Sequence, residues 1–233
     1  IDTLRADRLG CYGREGALTT TLDGIAARGV RFEAVLSPAP LTLPSHASLM
    51  TALDPPDHGV RHNSVFRLEA DLPTLAEGMR TAGFETAAFV GSMILEREFG
   101  LARGFETYDD QMPPRWGTGH MHSAERKADA VVDAVIAWIE NAPARFFLWV
   151  HFYDPHTEYE PPPQYARAFP DDPYAGEIAF VDAELGRLLG TLQKRWPDRR
   201  TLTVVVSDHG ESFFEHDEPT HSYGIYDSTQ RVP

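Results

Sequence analysis

A single cysteine, Cys11, stands among 233 residues. It excludes an internal disulfide and any cysteine-rich zinc cluster. Basic residues are also scarce: 21 Lys and Arg face 35 Asp and Glu, for a formal net charge of −14. That balance argues against a nucleic-acid groove or an anionic membrane surface as the main partner. A small anionic substrate stays within reach, because one bound metal reverses the field inside a pocket. No run approaches the roughly 20 apolar residues that span a bilayer. No signal peptide is visible either. The opening "IDTLRAD" reads as the end of a strand whose start is missing, and the closing "QRVP" as the approach to another. The expectation is a fragment cut at both ends, from which any targeting segment has been lost.

What is present suffices for a sizeable core: 42% hydrophobic and 24% charged residues are ordinary for a globular chain. Short apolar runs of strand length fall at residues 85–92, 145–152 and 201–208, the last rich in Val and Thr. Helical patterns lie between them. "TLDGIAARG" offers Thr21 as cap and Gly29 as stop, and "TLAEGMRTAG" offers Thr74, Glu77 and Gly83 in the same roles. Residues 124–141 and 174–195 carry apolar residues at helical spacing. Strands alternating with helices predict an α/β fold with a mainly parallel central sheet flanked by helices. No internal repeat or clean boundary is visible, so residues 1–233 read as one domain. Residues 113–123 and 158–173 read as loops.

In such sheets the chemistry gathers beyond the carboxyl ends of the strands. "SDHGE" follows Val206, "HFYDPH" follows Val150, and Asp2 follows the truncated first strand. Acids and imidazoles therefore collect at three strand ends, and these are common ligands of zinc or manganese. Each residue also has a plainer reading. Asp2 and Asp208 can cap helices, His151 can be a core histidine, His156 can belong to a turn, and Thr42 can cap the helix that follows it. His120 and His122 read as solvated loop residues. Only the joint occurrence favours a site.

Six ordered segments then carry a resemblance: "DTLRADRLGCYG", "TLDGIAARGVRFEAVLSPAPLTLPSHASLMTALDPPDHGV", "TLAEGMRTAGFETAAFVG", "GLARGFETYDD", "HFYDPHTEYEPPPQY" and "SDHGESFFEHDEPTHSYGIYDSTQRVP". Nearly end to end, the chain resembles the sulfatase branch of the alkaline phosphatase superfamily. The family's nucleophile stands two residues before Pro-Ser, which here is Thr42 in "TLPSH". Sulfatases proper carry Cys or Ser there, matured to formylglycine. Threonine nucleophiles belong to the superfamily's phosphodiesterases and its phosphoglycerol or phosphoethanolamine transferases. Three further departures stand out. His46 replaces the signature arginine, Thr3 replaces the second of two paired aspartates, and "FVGSMILEREFG" holds no Lys-Trp-His segment. Asp208-His209, where calcium sulfatases have Asp-Asn, points toward the phosphoryl-transfer side.

The resemblance implies one divalent metal, zinc or manganese with calcium as the other option, held by Asp2, Asp208, His209 and the Thr42 oxygen. A metal-bound hydroxyl ionises far more readily than a free one, and a helix starting near Pro44 and Ser45 would aim its amides at an anion. By resemblance His156 contacts the non-bridging oxygens, and His221 falls where sulfatases carry a lysine that assists the leaving group. His46 and Asp154 are assigned to the substrate. Asp154, His156 and His221 can alternatively supply a second metal, though their tight spacing favours one. The implied activity is phosphate or phosphonate (di)ester hydrolysis or transfer on a small-molecule, lipid or glycan ester. Two alternatives are a sulfatase without formylglycine and a non-catalytic module that kept the fold. The family also implies a periplasmic, extracellular or membrane-anchored location.

Overall fold

The structure, a computed structural model, describes residues 1–113 and 125–233. In chain order its elements are α1 (Thr20–Arg28), β1 (Val35–Leu36), α2 (Thr42–Thr51), α3 (Pro55–His58), α4 (Leu75–Thr81), β2 (Glu85–Phe89), β3 (Thr107–Asp109), α5 (Ala128–Ile139), β4 (Phe146–Val150), α6 (Pro163–Ala168), α7 (Pro173–Arg195), α8 (Asp227–Gln230) and β5 (Arg231–Val232). The chain divides into two compact units, one made of Ile1–Leu41 with Asp154–Pro233 and the other of Thr42–Tyr153.

The second unit holds the parallel sheet, in the order β3-β2-β4. β2 is central because its sequence is apolar on both faces: Ala87, Ala88 and Phe89 are buried, and Thr86 turns its hydroxyl onto Gly104 O at 2.7 Å. Its register runs Glu85 to Phe146 and Phe89 to Val150 on one side, and Ala87 to Thr107 on the other. The expected strands at 85–92 and 145–152 are thus present, each with shorter ladders. β3 was not foreseen as a strand; it has three residues, all half-buried, so it shows no run to detect.

Helices pack on this sheet as their patterns require. α5 buries Ala128, Val131, Val132, Val135 and Ile139 and packs against β2. α4 opens with the full capping box: Thr74 accepts the Glu77 N–H, and Glu77 accepts the Thr74 N–H. That arrangement stabilises the helix by roughly 1 kcal/mol. The turn after it closes through Gly83 at φ 82°, a left-handed conformation suited to glycine. Leu43, Ala47, Val60, Val90, Leu95 and Leu101 form the fully buried centre of the core. Phe105 stacks on Phe147 and Trp149, with ring centroids 5.8 and 5.9 Å away. Each large side chain so buried contributes about 1.5–3 kcal/mol.

The first unit is built on α7, which buries Ile178, Val181, Leu185 and Leu188 as its spacing predicts. Pro173 sits in the first turn, where its missing N–H costs nothing, and Asp172 accepts the Ala175 N–H. α1 packs on α7 and differs from expectation at its start. Its N-cap is Thr19, not Thr21, and the Thr19 side chain makes no capping bond. Asp182 of α7 takes that role, accepting the Thr21 and Leu22 N–H groups at 2.9 and 2.8 Å. β1 and β5 pair antiparallel, Val35 against Val232.

Two expectations fail in this unit. Residues 158–173 are not all loop, because α6 forms there. Consecutive prolines seat its first turn, and Tyr165 packs on Phe180 at 5.7 Å. Residues 201–208 form no ladder strand. Leu202 and Val204 are exposed, and the run's end is tied to the opening segment by single hydrogen bonds such as Ile1 N to Val206 O at 3.0 Å. Apolar character marked the run, but a strand also needs a partner, and none pairs with it among the described residues. The expected loop at 113–123 lies, past Pro113, outside the described residues, as do Trp116, His120 and His122.

Candidate metal and acid–base site

In the first unit the chain bends at Asp208, just past Val206, and meets the segment before β5 at Gly210. The Gly210 N–H donates to Thr229 O at 2.8 Å, and any Cβ at this position would collide with the Ser228 carbonyl. Only glycine lets the two backbones approach this closely. Ser207 braces the approach, its hydroxyl donating to His209 O at 2.6 Å and accepting the Leu4 N–H at 2.9 Å. Asp208 and His209 would point opposite ways on a regular strand. Here the turn brings both side chains to the same place.

Asp2 meets them there. One ligand atom each from Asp2, Asp208 and His209 lies within 4.8 Å of the others, and all three residues are buried. His209 Nε2 is 3.6 Å from Asp2 Oδ1 and 3.5 Å from Asp208 Oδ2. Its Nδ1 is 2.9 Å from Gly210 O. A carbonyl only accepts, so Nδ1 carries the hydrogen and the neutral ring turns a lone pair toward two carboxylates. Burial, and then the neighbouring His221, keep His209 well below its usual range, hence neutral. Burial, and then Asp208, push Asp2 up. Three electron-rich atoms facing one point repel unless a cation sits between them. Donors about 2.1 Å from a tetrahedral ion are about 3.4 Å apart, close to these separations. The residues therefore fit a divalent metal.

Thr3, where the family has a second aspartate, is buried at φ 50°, a strained conformation for a β-branched residue. It is held on every side. Its N–H donates to Asp208 Oδ1 at 3.3 Å, its hydroxyl donates to Pro155 O, and Tyr174 donates to its carbonyl at 2.7 Å. The strained turn sets Asp2 against Asp208.

Beside the cluster are two further imidazoles. The His221 ring lies 4.4 Å from that of His209 and 5.1 Å, edge to face, from that of His156. His156 is half-exposed, with Nδ1 2.7 Å from Thr157 O, and Asp154 is buried. His221 Nδ1 meets Glu211 Oε1 at 3.1 Å. Burial alone would lower His221, but the bond and charge of Glu211, with Asp2 and Asp208 adding, raise it above its usual value. Burial alone would raise Glu211, but His221, the Ser212 N–H and the Tyr159 hydroxyl hold it down to about 2. The carboxylate accepts from Nδ1, which leaves Nε2 of His221 as the nitrogen available for proton exchange. Glu211 had no assigned role in the sequence.

The remaining site candidates lie in the second unit. α2 starts at Thr42 itself, two residues before the expected start, and Thr42 is buried. Leu43 donates its N–H to Asn63 Oδ1 at 2.9 Å, so one first-turn donor is already used. His46 is buried with Nδ1 2.8 Å from Thr42 O. Its ring meets the buried His151 ring at 4.9 Å, edge to face.

This fold is shared with solved structures. The phosphonate monoester hydrolase of Agrobacterium radiobacter matches all of the chain and 65% of its own, with a TM-score of 0.81 and 20% identity. A sulfatase from Bacteroides fragilis gives 0.81 at 21% identity, over all of the chain and 65% of its own. The architecture is that of the sulfatase-like branch of the alkaline phosphatase superfamily. The Sulfatase family model matches residues 1–233, and the chain belongs to that family. The Δ4,5-hexuronate-2-O-sulfatase of Bacteroides thetaiotaomicron is 23% identical over 289 residues, covering 100% of this chain and 59% of the relative. The chain spans about three-fifths of the length of the curated relatives it matches from end to end.

Proposed function

We propose that the full-length protein is a divalent-metal-dependent hydrolase or transferase of phosphate or phosphonate esters, with Thr42 as nucleophile. The choice of phosphorus over sulfur rests on Thr42 in "TLPSH". Sulfatases proper have Cys or Ser at that place, matured to formylglycine, and threonine cannot be matured that way. The metal would be held by Asp2, Asp208 and His209, with the Thr42 oxygen as a further ligand. Once bound, it supplies charge neutralisation and lowers the pKa of the attacking hydroxyl.

The chain's own residues divide the remaining work. Thr42 Oγ1 attacks phosphorus, and the bond to the leaving oxygen breaks. His221 gives that oxygen a proton, an assignment supported by its pairing with Glu211. His156 and His46 bind the non-bridging oxygens, since phosphoryl transfer depends mainly on positioning and charge stabilisation. Water, or an acceptor alcohol, then releases the phosphoryl group from Thr42. The substrate is a small-molecule, lipid or glycan ester, and an exported or membrane-anchored location belongs to the same reading.

The second reading is a sulfate-ester hydrolase using unmodified threonine, and membership of the Sulfatase family favours it. One experiment separates the two. The full-length protein and Thr42→Ala are assayed on a phosphodiester, a phosphonate ester, a phosphomonoester and a sulfate ester of one aryl alcohol. The expected result is fastest turnover of the phosphodiester or phosphonate, lost in Thr42→Ala, with label from a phosphorus-labelled substrate trapped on Thr42 by rapid quench. Fastest turnover of the sulfate ester would overturn the proposal in favour of the second reading.

A further inference from the structure

Glu211 is completely buried. Five donors converge on its carboxylate. Oε1 accepts the Ser212 N–H at 3.0 Å, the Thr220 hydroxyl at 3.0 Å, the His221 N–H at 2.8 Å and His221 Nδ1 at 3.1 Å. Oε2 accepts the Tyr159 hydroxyl at 2.9 Å. The donors come from separate stretches of chain, so this one side chain joins the turn after His209 to the segment carrying His221 and to the segment carrying Tyr159.

A buried carboxylate loses its hydration, which well-aimed donors must replace. The His221 backbone N–H already fastens its segment to this carboxylate. The bond to Nδ1 is additional, and its effect is on the ring. A carboxylate can only accept, so Nδ1 must carry a hydrogen and the imidazole is locked in one tautomer and one orientation. The same division of labour orients the histidine of a catalytic triad.

We propose that Glu211 is the positioning residue for His221, holding Nδ1–H on the carboxylate so that Nε2 is the nitrogen that exchanges protons with the substrate. This rests on the reading above, in which His221 protonates the leaving group. As the bond from phosphorus to the leaving oxygen breaks, its electron pair stays with that oxygen. The Nε2 proton passes to the same oxygen, and His221 is left neutral with Nδ1–H still on Glu211. In the second half, Nε2 takes a proton from the water that displaces Thr42.

The test uses the full-length protein and aryl phosphonate or phosphodiester substrates whose leaving groups range from activated nitrophenols to unsubstituted phenol. An activated leaving group needs no proton, and a poor one does. Glu211→Gln keeps the shape and removes the charge. Its kcat/KM is expected to fall about 30-fold or more on the poorest leaving group and no more than about 3-fold on the best, the loss residing in kcat. Added to His221→Gln, the same change should cost nothing further. Equal loss on every substrate, or a full additional loss in the double variant, would show a purely structural role and overturn the inference. If His221→Gln itself shows equal loss on every substrate, the acid role fails and the inference fails with it. A steep His221→Gln profile beside a flat Glu211→Gln profile overturns the Glu211 role alone. Should Glu211→Gln not fold, 15N chemical shifts of the wild-type histidines decide. His221 hydrogen on Nδ1 supports the inference, and a neutral ring protonated only at Nε2 overturns it.

Discussion

His209 Nε2 stands 3.6 Å from Asp2 Oδ1, while the other nitrogen of the ring is committed to Gly210 O. Residues from opposite ends of the sequence thus turn a lone pair and a negative oxygen toward one point. The full-length protein, purified without chelator, should carry close to one zinc or manganese per chain, measured by elemental analysis. Asp208→Asn or His209→Gln should weaken metal binding at least about tenfold, since even removing a partner of a ligand costs about 10–100-fold. Full metal content in both variants would disprove this assignment.

Gly210 allows His209 to face that point, because its backbone lies against the Ser228 carbonyl. Gly210→Ala must push the two segments apart. The expected outcome is loss of metal affinity out of proportion to the loss of fold. Calorimetric melting and metal titration on the same sample give both quantities. A variant that melts early but binds metal normally would contradict the role given to this close approach.

Arg5 and Glu215 supply a pH-dependent part of stability in the first unit. Burial would raise Glu215, but the Phe213 N–H and Arg5, at 2.7 Å, hold it down to about 2. Its ordinary value is 4.5. The folded form therefore binds this proton less readily than the unfolded form does. The contribution is complete above about pH 4.5 and disappears as pH falls through about 2. Glu215 is more than a third exposed, so Glu215→Gln should cost only about 1 kcal/mol at neutral pH. The difference between variant and wild type should shrink toward zero in denaturant melts taken at progressively lower pH. A constant difference down to pH 2 would refute it.

Asp182 closes the first turn of α1 from the neighbouring helix α7. Asp182→Ala leaves two N–H groups without their acceptor. The expected loss is about 1–2 kcal/mol, the usual cost of removing a helix cap. Thermal melting should show it with ester turnover unchanged per folded molecule.

These results show which information is local. The strands at β2 and β4 were legible because each carries a short apolar run of strand length, buried in β2 and half-buried in β4. The capping box of α4 was legible because Thr74 and Glu77 satisfy each other within four residues. Asp2, Asp208 and His209 were singled out because each was read as following a strand, and residues 201–208 form none among the described residues. Three features depended on partners far away in the chain. The cap of α1 comes from Asp182, the run at 201–208 has no ladder partner among the described residues, and β3 is a strand only because β2 lies beside it. Glu211 belongs with these. Its place two residues after His209 was visible, but nothing local shows that Thr220 and His221 fold back onto its carboxylate. The only available signal was an acid followed by Ser-Phe-Phe, a charge unlikely to be tolerated there without a partner.

The stretch Asp208-His209-Gly210-Glu211 gives four consecutive residues four different neighbours: the Thr3 amide, the Gly210 carbonyl, the Ser228 backbone and the His221 ring. Such a stretch has no slack. Substitutions act on one partner at a time, but adding or removing a single residue would reassign every side chain at once. The connection between Glu211 and Thr220 is tied as well, since Glu215 meets Arg5 at 2.7 Å and Phe213 packs on Tyr174. Residue count in this protein is therefore constrained from Asp208 through Glu215.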